Sequence, residues 1–170
     1  MPLQTKASQK ITIENATLSD LDTLHQIEEL SFGGDKSASK EAFFYRLSNY
    51  PEWFFKAQSN GKTVGFINGC PSKQKYITDD LFQKGSDFDK DGENILIFGL
   101  AVHPDSRNKG IAHTLMETIL RKAKQSGKKR VALTCKQSLI DFYKSFGYKK
   151  IGESKSKIAN IKFFDMEISF

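Results

Sequence analysis

The chain has 170 residues, enough for one domain with a substantial core, and carries a net charge of +6. No apolar run approaches the ~20 residues that span a bilayer, and residues 1–10 read as a flexible polar segment without the apolar stretch of a signal peptide. Cys70 and Cys135 lie far apart without metal-type spacing, so two free thiols and a cytoplasmic location are expected, with no metal.

Elements follow in chain order. Residues 11–15 alternate as a strand. Thr17, with Asp20 three residues on, caps a helix bearing Leu21, Leu24, Ile27 and Leu30 on one face, which Gly33-Gly34 ends. A second helix, about 38–49, stops at Tyr50-Pro51, because the residue before proline is pushed out of helical geometry. Strands at 53–58 and 62–69 flank Asn60-Gly61, a hairpin signal. Residues 71–93 form a polar insertion with one short helical segment. A strand at 94–102 leads through a glycine-bearing turn into a helix at 110–125, with Ile111, Leu115, Ile119 and Ala123 on one face and Gly127 as the stop. A strand at 130–135, a helix at 137–146 capped by Gly147, and strands at 148–152 and 160–168 complete the chain. This order predicts an α+β fold around a mixed sheet in one domain, 11–170, with no room for a doubly wound dinucleotide fold.

The turn Arg107-Asn108-Lys109-Gly110-Ile111-Ala112 is the most informative stretch. Helix-start N–H groups lack partners within the helix, and the helix dipole favours negative charge there. Gly110 lets backbone approach a ligand, while Arg107 and Lys109 add positive charge. The arrangement suits phosphate. A second constellation runs from Cys135 to Tyr148, where Phe142, Tyr143 and Phe146 crowd the last turns of a helix before Gly147. The phenylalanines read as core; the Tyr143 phenol, close to a ligand, can donate or accept a proton.

Leu-Ala-Val-His-Pro, Arg-x-x-Gly-x-Ala and Phe-Tyr-x-x-Phe-Gly-Tyr together resemble the GNAT acetyltransferases, over roughly residues 11–168. The Cys135–Gly147 stretch, Tyr50-Pro51-Glu52 and Lys162-Phe163-Phe164 look like the arylalkylamine (serotonin) N-acetyltransferase branch. That resemblance implies a GNAT fold and transfer of acetyl from acetyl-CoA to a small primary amine in a direct ternary complex. It places the pantetheine arm along Leu100, Ala101 and Val102. The pyrophosphate falls on the loop Arg107, Asn108, Lys109, Gly110, Ile111 and Ala112. Tyr143 becomes the acid that protonates the departing thiolate. Pro51, Phe98, Thr134, Ile161 and Phe163 become walls of the amine pocket.

One departure bears on mechanism. Leu96 and Phe98 stand where the serotonin enzymes carry two histidines that relay the amine's proton. An amine of pKa ~10.5 costs ~5 kcal/mol to deprotonate at pH 7, so a slow turnover or one shifted to higher pH is expected unless another base serves. His103, His25, Glu28 and Glu29 are the candidates.

Charge is unevenly placed. Residues 1–120 hold 13 basic and 16 acidic side chains, and residues 121–170 hold 13 basic and 4 acidic. This suits an anionic cofactor facing the basic half and a cationic substrate the acidic half. The lysines lack the aromatic interleaving of a nucleic-acid platform, and neither nucleic acid nor membrane is an expected partner. Asp87-x-Asp89-x-Asp91-Gly92 matches the first half of an EF-hand loop, but position twelve is Phe98 and a strand follows; an acidic turn is the expected role. Two rival functions remain, a protein or peptide N-acetyltransferase and an acetyl-CoA-binding module with little catalysis. Oligomeric state is not readable.

Overall fold

The computed structural model describes residues 10–33, 37–79, 88–156 and 158–170. Seven strands form one sheet, β1 (Ile11–Asn15), β2 (Phe54–Ser59), β3 (Lys62–Ser72), β4 (Asn94–Val102), β5 (Arg130–Lys136), β6 (Lys149–Glu153) and β7 (Phe163–Ser169), in the order β1-β2-β3-β4-β5-β7-β6. Every neighbouring pair is antiparallel except β4 and β5, which run parallel. Among the described residues the α-helices are α1 (Leu21–Ser31), α2 (Lys40–Asn49), α3 (Ile111–Gln125) and the short α4 (Ile140–Lys144). The fold is the α+β, mixed-sheet architecture read from the sequence.

Apolar side chains divide into two clusters. Leu24 and Ile27 of α1 and Phe43 and Leu47 of α2 pack with Phe54, Phe66 and Ala101. The α3 stripe of Ile111, Leu115, Ile119 and Ala123 packs with Ile67, Ile95, Val131 and Met166. The Phe43 ring meets Phe54 and Phe66 edge-on at 5.7 and 5.5 Å between centroids, a geometry that aromatic quadrupoles favour.

Several boundaries differ from the sequence reading. The Thr17 N–H donates to Asp20 Oδ2 at 2.9 Å, but this box caps a 3-10 turn, Leu18–Asp20, and α1 starts after it. Ser39 accepts the Ala42 N–H and starts α2 at Lys40. β3 runs three residues further than predicted, through Pro71 and Ser72, because β4 continues beside it. The expected helix at 137–146 is a 3-10 turn, Gln137–Leu139, followed by the single turn of α4. β7 starts at Phe163, since Ala159 and Asn160 both hold a left-handed φ of 55°, which no strand accepts. Most of the residue 1–10 segment, Gly34 and residues 80–87 of the polar insertion, where its short helical segment was expected, lie outside the described residues.

Two irregularities shape the centre of the sheet. β4 pairs with β5 only over Asn94–Leu96. From Ile97 onward the two parallel strands separate, leaving one edge of β4 facing a cleft. The register between β3 and β4 also slips, from Asn68↔Gly99 to Gly69↔Ile97, so Phe98 is the extra residue of a β-bulge. A bulge bends its strand and re-aims the neighbouring side chains.

Candidate active site

The cleft between β4 and β5 is a cavity of about 700 Å³. One wall is Ile97, Phe98, Gly99, Leu100, Ala101 and Val102; the facing wall is Leu133, Thr134, Cys135 and Lys136. One end is closed by Arg107, Asn108, Gly110, Ile111, Ala112 and His113. Phe142 and Tyr143 line it from α4, and Glu28, Ser31 and Phe32 from α1. An extended ligand laid along β4 would meet backbone N–H and C=O groups there in the manner of an added strand.

The loop before α3 is built for an anion. Gly110 caps the helix at φ 78°, a left-handed geometry that glycine adopts without a steric penalty. A Cβ added to it would meet nothing within 4 Å, so the backbone lies open. The first helical hydrogen bond runs from the Thr114 N–H to Gly110 O, which leaves the amides of Ile111, Ala112 and His113 ahead of the ladder. No acidic side chain sits in the first turn of α3. Arg107 is braced by its Nε, which donates to Val102 O at 3.1 Å. Among residues expected at the cofactor, Lys109 alone is not part of the cavity wall. The cradle fits a pyrophosphate and the β4 edge fits an amide-bearing arm.

Of the expected acceptor-pocket residues, Phe98, Thr134 and Phe163 line the cavity, whereas Pro51 and Ile161 do not. Pro51 opens a 3-10 turn and its carbonyl accepts from Asn15 Nδ2 at 3.1 Å. Ile161 belongs to the turn before β7, its N–H bonded to Ile158 O. The Thr134 hydroxyl donates to Asp165 at 3.0 Å, so its polar atom serves the β5–β7 pair. Ile77, Asp79, Ser156 and Ile158 also line the cavity, and Ser156 Oγ donates to Asp79 at 2.7 Å. Nothing periodic in the sequence marked these four, because they come from irregular segments brought together by the sheet.

The four base candidates separate clearly. His25 packs edge-on to Phe43 and lies 3.2 Å from Ala38 O. Nδ1 of His103 accepts the Asp105 N–H, and Glu29 takes the Ser37 hydroxyl in an exposed position. Glu28 alone lines the cavity. Its side chain is 2% exposed, Oε1 accepts the Ala38 N–H at 2.9 Å, and Oε2 is buried without a protein hydrogen-bond partner. Burial pushes its carboxyl up to about 7, against a downward pull from the Ala38 N–H and Arg46. Arg46 is buried beside it, its guanidinium 4.4 Å from the Phe98 ring centre. Carboxyls with raised pKa values cluster in functional clefts, so Glu28 is a candidate acid or base. Leu96, by contrast, is fully buried behind the wall.

On the opposite wall, Tyr143 contacts the Phe142 and Tyr148 rings at 5.1 and 5.9 Å. Burial, and then Cys135, raise its phenol well above the usual value. It therefore stays protonated at neutral pH. Burial also pushes the Cys135 thiol up to about 11, so it is a poor nucleophile. Among the described residues, no cluster of three or more metal-ligating side chains forms, and no helix is long and apolar enough to cross a membrane. In the Asp87–Gly92 string, Asp87 lies outside the described residues; Asp89 accepts the Asp91 N–H at 3.0 Å and pairs with Lys73, as a turn residue does.

The comparisons agree with this geometry. Human N-acetyltransferase 8 is 30% identical over 111 residues, covering 64% of this chain; the chain spans 43% of that relative's length. The loading GNATL domain of CurA from Lyngbya majuscula superposes with a TM-score of 0.78 at 14% identity, covering 94% of this chain and 98% of that one. Arabidopsis thaliana Naa50, solved with the bisubstrate analogue CoA-Ac-MVNAL, gives 0.73 at 17% identity, covering 94% and 99%. The family model described as "Acetyltransferase (GNAT) family" matches residues 21–148. With that match across most of the sheet, α3 and the anion loop, the chain belongs to the GNAT acetyltransferase family.

Proposed function

We propose that this protein is an acetyl-CoA-dependent N-acetyltransferase whose acceptor is a small primary amine of the arylalkylamine type. The observation that carries the reading is Glu28, a buried carboxyl raised to about 7 at the wall of the same cavity as the β4 edge and the anion loop. Acetyl-CoA, the acyl donor of the family, supplies a thioester carbonyl open to attack. Amides of the β4 edge around Leu100 are placed to polarise a carbonyl. The loop from Arg107 to Ala112 holds the phosphates and fixes the donor's position. Glu28 takes a proton from the acceptor nitrogen as the N–C bond forms, when that nitrogen becomes far more acidic. A base whose pKa lies near the working pH is the efficient choice. Tyr143 holds its phenolic proton towards the leaving sulfur.

Phe32, Phe98 and Phe163 give the cavity an aromatic lining, which supports an acceptor with an apolar or aromatic body. Glu28 supports one whose nitrogen must give up a proton on acetylation. Glu28 also weakens the idea of a cofactor-binding module without catalysis, since a buried carboxyl with a raised pKa costs the fold stability and such groups cluster at functional sites.

The test follows thiol release with acetyl-CoA and a panel of arylalkylamines, polyamines and lysine or N-terminal peptides, between pH 6 and 10. The expected result is preference for arylalkylamines, with kcat/KM rising through an apparent pKa near 7. Peptides turned over faster than any small amine would establish the protein or peptide acceptor instead. Cofactor-dependent thermal stabilisation with no turnover on any amine would reduce the protein to a binding module.

A further inference from the structure

Along β5, Leu133 and Cys135 pack into the α3 cluster, and the Cys135 thiol meets Met166 Sδ at 3.5 Å. Side chains alternate along a strand, so Thr134 points to the opposite face, the side that α1 covers. There its hydroxyl donates to Asp165, its partner across β5 and β7, at 3.0 Å. A chain of hydrogen bonds continues from this carboxylate across the cavity. The Ser154 hydroxyl donates to Asp165 as well. Ser154 Oγ accepts the Ser156 N–H at 3.1 Å, and Ser156 Oγ donates to Asp79 at 2.7 Å.

The last of these bonds joins segments 77 positions apart, the stretch after β3 and the loop after β6. Both of its ends line the cavity, and so do Ile77 and Ile158 beside them. The bond is partly buried, which shields it from competing water. The loop after β6 also spends its amides on itself and on β7. The N–H groups of Ser154 and Ile161 go to Phe163 O and Ile158 O, and those of Ser156 and Ile158 go to serine hydroxyls at 3.1 and 3.4 Å. A peptide acceptor gains affinity by pairing its main chain with such amides, and it needs an open path for the chain that leads away from the reacting nitrogen. A small amine needs neither.

We propose that the bond between Asp79 and Ser156 determines specificity: it closes the acceptor side of the cavity into a pocket and selects small amines over peptides. The proposal rests on the reading of the acceptor as a small amine. Asp79 and Ser156 act by position, and neither gains nor loses a proton in the reaction. With the bond cut, the stretch after β3 and the loop after β6 part, Ile77 draws away from Ile158, and a peptide chain gains its exit.

The experiment measures kcat/KM for phenethylamine and for a hexapeptide with a free N-terminus and one lysine. It compares wild type with Asp79→Ala, Ser156→Ala, the double variant and Ser156→Thr. Thermal stabilisation by acetyl-CoA checks that each variant is folded and binds the donor. Each single alanine is expected to raise the peptide-to-amine ratio by about tenfold, the weight of one hydrogen bond. The double variant should add little to either single, because both remove the same bond. Ser156→Thr keeps a hydroxyl and should hold the wild-type ratio. A ratio unchanged in both single variants overturns the proposal and leaves the small-amine reading standing. Fully additive effects in the double variant also overturn it, since the two side chains would then act as separate parts of the wall. A wild type that already prefers the peptide removes the small-amine reading and the proposal with it.

Discussion

Glu28, the proposed base, opposes the stability of its own fold. Its carboxyl titrates near 4.5 when solvated and at about 7 in the folded chain. The folded state therefore binds the proton more tightly, and stability falls as pH rises from about 4.5 to 7. A displacement of this size corresponds to ~3 kcal/mol, present as a penalty above pH 7 and absent below pH 4.5. Glu28→Gln should raise the unfolding free energy at pH 8 by ~1–3 kcal/mol and leave it little changed at pH 4, as urea titrations at the two pH values would show. A variant destabilised equally at both would mean that Oε1, through the Ala38 N–H, matters more to the fold than burial of the charge. Tyr143 makes the complementary case on the other wall. Its raised pKa makes complete proton transfer to a thiolate steeper than in water, so the part proposed for it is a hydrogen bond to the developing charge. Tyr143→Phe should lower kcat by about tenfold or more with acetyl-CoA affinity unchanged, because only the developing charge on sulfur needs the donor; equal kcat would remove the phenol from the chemistry.

Among the elements, the strand–loop–helix unit from β4 to α3 was the most legible in the sequence. The strand at 94–102 has its predicted limits and the helix differs by one residue, because Gly110 and the Ile111-Leu115-Ile119-Ala123 stripe are purely local signals. Gly110→Ala tests this unit. Its methyl would meet no atom, so any stability loss, ~1 kcal/mol, comes from the left-handed φ alone. Acetyl-CoA affinity should fall further, about tenfold, as the chain shifts off its left-handed turn and the Cβ stands between amide and phosphate; calorimetry on the folded variant would measure it. Elsewhere local signals misled. Ile140, Phe142, Tyr143 and Phe146 have helical spacing, yet the helix is one turn long. Ile161 and Lys162 look like strand, but the left-handed pair Ala159 and Asn160 delays β7 to Phe163.

Across the whole molecule, the sheet gathers parts that no window of the sequence joins. Glu28 from α1, Gly99 from β4 and Tyr143 from α4 line one cavity, although 115 positions separate the first and last of them. The two-sided core makes this possible: α1 and α2 cover one face and α3 the other, while β4 and β5 separate after three paired residues to open the cavity. The sequence by itself determined the element order, the α+β class and the anion loop, because hydrophobic period, turn glycines and a helix start are written in neighbouring residues. It also left Glu28 as one of four candidates for the base and put Pro51 and Ile161 on the acceptor pocket. Tertiary structure places Glu28 on the cavity wall and Pro51 and Ile161 away from it. A carboxyl's pKa depends on what buries it, and a residue's place on a cavity wall depends on strands far apart in the chain. The bulge at Phe98 arises only when β3 and β4 are paired, since register between strands is a property of the pair and not of either strand.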